Sequence, residues 1–470
     1  MPDLPGVPDW VPMLWPSEWL TPSILGLIRK TPVNCVLVEW EARARLAGAG
    51  VLQEVRKQDL ALVGLVREGA DGGDAAAAAR AGELSAVAAG KLAPAEGVKV
   101  ICWTKSSGFP RRSGHVALAF TDCAWPGTKL SASARGGNEA VVAGPTGVPW
   151  VDTNGWFIRM VRTLVPDKPV WVLADPPKTS ASLHPETYML AVADAAASGG
   201  RWVVSLGQEL PRALAAGNAE ALAAWDRIAG AITFYEQRKD RRSWVAAGLL
   251  GVLSDFAGEN EGLSTELLNL VARRHLGFRV LDKTNPAQLS LEGLRAVVFT
   301  DREPPGRDLG AKLEAFAKAG GLVVFPIRSA GLPGGVPISD QIYHGFEVRQ
   351  FGTGRLAVAK QDVDDPYLLT LAAHSMLSRR YDLLRTGNGS AAIACLAASR
   401  DRKRSAVSIL NYSTRPFDDM TLSVAGDFRS ARLWTSESKT AVPLKPTRDR
   451  GRVEFHLPSI GVFAEIELEA

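Results

Sequence analysis

The stretch NCVLVEWEARARLAGAGVLQEVRKQDLALVGLVR, from Asn34 to Arg67, decides the fold. Asn34–Trp40 opens it with a run of Cys, Val and Leu that ends at Glu39. A short, near-continuous apolar run is what a parallel strand covered on both faces requires. Arg43–Lys57 follows, with apolar residues at helical spacing and charged residues between them. Leu60–Arg67 is a second apolar run of the first kind. Strand, helix and strand in this order make a β-α-β unit, whose two strands lie parallel.

The same alternation extends in both directions. The strand candidates are Trp10–Trp15, Asn34–Trp40, Leu60–Arg67, Lys99–Thr104, His115–Asp122, Glu139–Gly144, Pro169–Asp175 and Arg201–Leu206. Helical patterns cover Pro22–Arg29, Arg43–Lys57, the alanine-rich Asp74–Ala89, Gly155–Leu164, Pro185–Ala197 and Ala219–Gln237. Thr21-Pro22, Asn154-Gly155 and His184-Pro185 mark helix starts by a capping residue or an early proline. The segments after the fourth and fifth candidates read as short and irregular. Eight strands in residues 1–242 predict a (β/α)8 TIM barrel.

Near Trp244 the pattern restarts. Strands are expected at Ala246–Asp255, Phe278–Leu281, Ala296–Thr300 and Gly321–Phe325. Helices are expected at Thr265–Arg274, Arg307–Ala319 and Pro366–Arg379. Residues 243–383 thus predict a flavodoxin-like α/β domain. From residue 384 helical periodicity stops. Ala391–Leu396, Arg404–Leu410, Thr421–Val424, Ser430–Thr435, Arg452–Leu457 and Val462–Leu468 predict a small antiparallel β-sandwich over 384–470. The alanine bias near residue 75 suits a GC-rich genome.

Composition narrows the function. At 470 residues the chain is too long for one ordinary core. Its 54 Lys and Arg against 50 Asp and Glu give a net charge of +4, spread along the chain, which argues against a nucleic-acid surface. Cys35, Cys102, Cys123 and Cys395 lie far apart with no CxxC, and the six histidines form no HExxH. Neither a metal site nor a disulfide framework is expected, and no cofactor. No apolar run reaches the ~20 residues of a membrane span. Met1-Pro-Asp-Leu-Pro5 has no signal-peptide pattern. A soluble chain is expected, cytoplasmic as written, or exported if a leader was removed.

The three-part order resembles the glycoside hydrolase family 42 β-galactosidases. These join a catalytic barrel to a domain shaped like a class I glutamine amidotransferase and then to a β-sandwich. The resemblance is carried by Gly251-Val-Leu-Ser-Asp-Phe-Ala-Gly-Glu-Asn-Glu261, by Ser408-Ile-Leu-Asn-Tyr-Ser413 and by Gly461-Val-Phe-Ala-Glu-Ile466. It implies a carbohydrate substrate. It also implies a middle domain serving assembly, with a homo-oligomer, dimer or trimer, as the expected state. Amidotransferase chemistry itself is excluded, since no cysteine stands between Cys123 and Cys395. Family members carry a Glu at the end of strand four, often after Asn, and another at the end of strand seven. Here strand four ends Cys102-Trp-Thr-Lys105 with no carboxylate, and strand seven ends in Asp175, not Glu. Asn138-Glu139 falls at the start of a strand, the wrong end for barrel chemistry.

Barrel active sites form at the carboxyl ends of the strands. The acids expected there are Glu39, with Glu41 beyond it, then Asp122, Asp152, Asp175 and Glu209. Glycoside hydrolysis uses two carboxyl groups flanking the scissile bond, and Glu39, Asp122 and Asp175 are the catalytic candidates. Each is equally readable as a salt-bridged strand end or a helix cap. Asp152 and Asn154 precede a helix and read as caps or substrate contacts. The 13 tryptophans support a sugar site, because an indole stacks on the CH face of a sugar ring. Trp15, Trp40, Trp103, Trp125, Trp150 and Trp156 fall at or just beyond strand ends. Glu259, in the loop after the first flavodoxin-like strand, is a further candidate contact. Two readings stand: a glycoside hydrolase, or a carbohydrate-binding or assembly protein on a barrel without its catalytic pair.

Overall fold

The structure, a computed structural model, describes residues 6–132, 139–141, 149–176, 184–338, 345–389, 391–413 and 415–469. The chain forms two compact units, the first ending at Ser243 and the second beginning at Trp244.

The first unit is a closed parallel barrel. Its strands are β1 (Pro12–Leu14), β2 (Cys35–Glu39), β3 (Ala61–Leu65), β4 (Ala86–Ala89), β5 (Val100–Thr104), β6 (Ala117–Phe120), β7 (Val170–Val172) and β8 (Arg201–Trp202). Met13 bridges Val204 in parallel, and the Leu14 amide donates to the Val204 carbonyl at 2.9 Å, which closes the ring.

Two of the expected segments are corrected. The alanine run predicted as one helix, Asp74–Ala89, is a helix over Gly73–Arg80 followed by strand β4. Gly82, at φ +76°, ends the helix in the left-handed conformation that glycine adopts without strain. Ala86–Ala89 then pairs with β3 and β5, because burial on both faces outweighs alanine's helical preference. Glu139–Val141 is no barrel strand; it forms an antiparallel ladder with Leu130–Ala132. Asn138 and residues 142–144 lie outside the described residues. The number of barrel strands stays at eight because the missed β4 replaces that segment.

The barrel interior explains the small residues of β3, β4 and β6. Ala61, Ala86, Ala88, Ala117 and Ala119 face a core that also holds Trp10 and Trp171, whose ring centroids lie 6.4 Å apart. Two indoles fill the volume that five alanines leave, so packing stays dense. At the amino end Arg201 of β8 is buried. It donates to the Pro8 carbonyl at 2.6 Å and to that of Trp10, and it pairs with Glu236 at 3.0 Å.

The second unit contains a seven-stranded sheet. With β9 as Leu250–Ser254, β10 as Phe278–Asp282, β11 as Ala296–Phe299, β12 as Leu322–Phe325, β13 as Val336–Pro337, β14 as Phe346–Phe351 and β15 as Gly354–Ala359, the order is β10-β9-β11-β12-β15-β14-β13. The first five are parallel in the flavodoxin-like order, and the last two add an antiparallel hairpin that the sequence pattern did not reveal. Two antiparallel sheets follow, with Val407, Ile409, Leu422, Val424, Phe455 and Ile466 in the core between them.

His275 ties the α/β part of this unit to the sandwich. Its Nδ1 accepts from the Ala394 amide at 3.1 Å, in the strand Ala392–Ala398. Loss of hydration, then the neighbouring Arg274, pushes the imidazole down to about 4. The unfolded chain therefore binds one more proton than the folded chain between pH 4 and pH 6.5. Stability is full above pH 6.5 and falls on acidification through that window, by at most about 1.4 kcal/mol per pH unit from this residue. Urea midpoints measured from pH 7 to pH 4.5 are expected to fall. His275→Asn, which keeps an acceptor and tolerates the positive φ of 57°, is expected to flatten the slope.

Candidate active site

Strand β2 carries its apolar residues into the barrel wall and delivers Glu39 to the carboxyl-side rim. Strand β3, paired with it in register, delivers Arg67 two residues past its end. The Arg67 guanidinium donates to Glu39 at 2.5 Å, and this contact, followed by the charge of Glu39 itself, raises the Arg67 pKa. The Glu39 side chain is 29% exposed and that of Arg67 65%, so the pair faces solvent without being fully hydrated.

Beside this pair lies a cleft of about 810 Å³ on the rim of strands β2 to β6. Glu39 and Arg67 form one wall. Gly90 and Lys91 after β4, and Trp103, Thr104 and Lys105 of the β5 end, form the other. A Cβ at Gly90 would stand 3.1 Å from the Trp103 carbonyl, so glycine here lets the end of β4 lie against β5. Trp103 is half-buried, packs against the barrel core and is one of the residues that line the cleft. An apolar ring beside carboxylate, hydroxyl and ammonium groups suits a sugar, which offers CH faces and hydroxyls together.

The other sequence candidates are placed as follows. Asp122 stands next to Thr121, a lining residue; its two oxygens accept from the Ser106 amide at 2.7 Å and the Ser106 hydroxyl at 2.9 Å. Asp175 follows β7 and is exposed. Asp152 ends a short strand paired antiparallel with Gly127–Thr128. Asn154 is buried and holds the loop after β6: it accepts from the Ala124 amide at 3.0 Å and donates to the Ala124 carbonyl at 2.9 Å and to Asp194 at 3.1 Å. Glu209 begins the helix Glu209–Ala215 and pairs with Arg212 at 3.8 Å.

The tryptophans divide between packing and the cleft. Trp15 is buried edge-on to Trp19 at 5.0 Å and donates to the Trp19 carbonyl. Trp40 is buried beneath the Arg43 guanidinium, 4.8 Å from the ring centroid. Trp125 packs edge-on against Tyr188 and Trp202. Trp150 is half-buried, and Trp156 sits on the helix Gly155–Leu164 against Phe157. Trp103 alone of the six lines this cleft.

Sequence reasoning missed two features. Arg67, Lys91 and Lys105 are the rim cations; their signal was a basic residue just past an apolar run. Asp194 is fully buried and accepts from the Thr153 hydroxyl at 2.6 Å and the Asn154 amide at 2.8 Å. Its signal was one acid inside an otherwise apolar helix face.

In the second unit, Glu259 is exposed in a single helical turn after β9. Beside it, at the carboxyl ends of β9, β10 and β11, Lys283 pairs with Asp255 at 3.1 Å and with Asp301, while Ser254 donates to Asp301 at 2.5 Å. The crevice where flavodoxin-like folds bind ligands is thus occupied by the protein's own ion pairs. Among the described residues no group of three His, Cys, Asp or Glu side chains is placed to hold a metal, and no helix is long and apolar enough to cross a membrane.

No protein-family model matches the sequence, and no curated protein matches it. Solved structures do. A polyextremophilic β-galactosidase from the Antarctic haloarchaeon Halorubrum lacusprofundi is similar with a TM-score of 0.53 at 12% identity, over 98% of this chain and 99% of that one. The α-L-fucosidase isoenzyme 2 from Paenibacillus thiaminolyticus gives 0.50 at 11% identity, over 95% of this chain and 79% of that one. A β-galactosidase from Bacillus circulans sp. alkalophilus gives 0.45 at 11%, over 92% and 68%. What the first two share with this chain is the fold.

Proposed function

We propose that the protein is a glycoside hydrolase whose reaction takes place in the rim cleft of β2 to β6. The observation that carries this reading is Glu39, held by Arg67 at the carboxyl end of β2 in the same cleft as the half-buried Trp103. Hydrolysis of a glycosidic bond needs one carboxyl group to protonate the leaving oxygen and a second to attack the sugar or activate water. Glu39, engaged by a guanidinium, suits the second role. Asp122, beside the cleft, and Asp175, at the end of β7, are the candidates for the first. Trp103 would stack on the sugar, and the ring would lie between the two walls.

A second reading is favoured by a specific observation. The corrected fourth strand ends at Ala89 and is followed by Gly90-Lys91, so no carboxylate stands at the end of strand four, where the resembled family carries its acid. A barrel lacking that acid would still bind sugars through Trp103 and the hydroxyls of Thr104 and Thr121. Assembly into dimers or trimers through the second unit belongs to this proposal as well.

A panel of chromogenic aryl glycosides, α and β, distinguishes the two. Release of the aryl group from at least one member is the expected result. Sugar binding without release from any member would favour the non-catalytic reading.

A further inference from the structure

The rim cleft is divided by charge. The β2–β3 side carries Glu39, Glu68 and Asp71 together with Arg67. Glu39 is neutralised by Arg67, and one Asp71 oxygen accepts from the Gly73 amide at 2.9 Å. The β4–β5 side carries Lys91 and Lys105 with no acid among its lining residues. From Leu84 to Asp122 the chain holds Lys91, Lys99, Lys105, Arg111 and Arg112 against Glu96 and Asp122, and both Asp122 oxygens accept from Ser106. Lys91 and Lys105 are exposed and make no ion pair with any described residue. Lys91 and Lys105, on adjacent strand ends, thus line the cleft that Trp103 also lines, and neither is held by a salt bridge to a described residue.

We infer that the cleft takes an anionic saccharide, with its carboxylate or sulfate on the Lys91–Lys105 wall and its sugar ring against Trp103. This rests on the reading of the cleft as a sugar site but not on its being catalytic. A neutral sugar would leave both ammonium groups without a partner. An anionic one gains two charge-assisted contacts and is oriented with its other end toward Glu39. Exposed pairs of this kind are individually weak, and two of them amount to roughly a tenfold gain in affinity. That gain shrinks as salt screens it.

The test is binding of free monosaccharides, read by titration calorimetry or ligand-observed NMR. D-galacturonate and D-galactose 6-sulfate are compared with D-galactose, and D-glucuronate with D-glucose. At least one anionic sugar is expected to bind about tenfold more tightly than its neutral parent at low salt. Which one prefers the site distinguishes a uronic acid from a sulfated sugar. The preference should shrink at high salt and vanish in a Lys91→Met, Lys105→Met double variant whose circular dichroism and melting temperature match the parent. Equal binding of charged and neutral sugars, absence of binding by every anionic sugar, or a preference that survives the double substitution overturns the inference. Because this assay reads binding and the aryl-glycoside panel reads turnover, anionic preference with no aryl release would defeat the hydrolase reading alone, and aryl release with no anionic preference in binding would defeat this one alone.

Discussion

Glu39→Gln is expected to lower turnover of a hydrolysed glycoside by about a thousandfold, the scale of losing one acid or base group. The fold should survive. The Glu39–Arg67 pair is partly exposed, and an exposed pair contributes about 0–1 kcal/mol. Glutamine keeps the size of the side chain and one oxygen to accept from Arg67. A large loss of rate with an unchanged melting temperature is therefore a statement about chemistry. Asp122→Asn and Asp175→Asn, assayed beside it, identify the partner: the one whose loss matches that of Glu39→Gln supplies the second carboxyl. Retention of more than a tenth of the activity in Glu39→Gln would remove Glu39 from the reaction.

Trp171→Ala is expected to destabilise the barrel by about 3–5 kcal/mol, at the upper end for a core truncation. Trp171 is fully buried, and the residues around it in the barrel interior include Ala61, Ala86, Ala117 and Ala119, whose methyl groups cannot swing in to refill the space. Trp171→Phe should cost much less, because the indole nitrogen has no hydrogen-bond partner among the described residues to lose. Urea unfolding followed by tryptophan fluorescence checks both. Eleven of the 13 tryptophans precede Ser243, so the signal reports chiefly on the barrel. A Trp171→Ala midpoint shift worth less than 1 kcal/mol would mean the interior collapses or is loosely filled.

Those same alanines mark where the sequence stopped being legible. Parallel strands rich in Val and Leu, such as Cys35–Glu39 and Leu322–Phe325, announce themselves because burial on both faces demands continuous apolar residues. Ala86–Ala89 is equally buried, yet alanine favours a helix, and the helix before it has the same composition. The two indoles that make alanine necessary there come from β7 and from the loop before β1, far away in sequence. Strand β14 was hidden for another reason: it alternates buried with half-exposed or exposed residues and so lacks the continuous apolar run that marks the parallel strands beside it.

The site was legible in part. An acid that ends a parallel strand must lie on the rim, and this places Glu39 without coordinates. Indole burial is different. Trp15, Trp40 and Trp103 all end apolar runs, but which one packs and which one lines a cleft depends on neighbours such as Trp19 and Arg43 that periodicity does not reveal. Lys91 was obscured by the strand assignment, since a residue placed after a helix is not sought on a barrel rim.

The most direct measurement is a crystal structure of the protein soaked with the monosaccharide it binds best. The sugar should lie against the Trp103 indole, with a hydroxyl or ring oxygen within hydrogen-bond distance of Glu39 and its charged substituent, if it has one, at Lys91 and Lys105. A sugar bound on another face of the barrel or on the sandwich, with Glu39 and Trp103 untouched, would contradict the account.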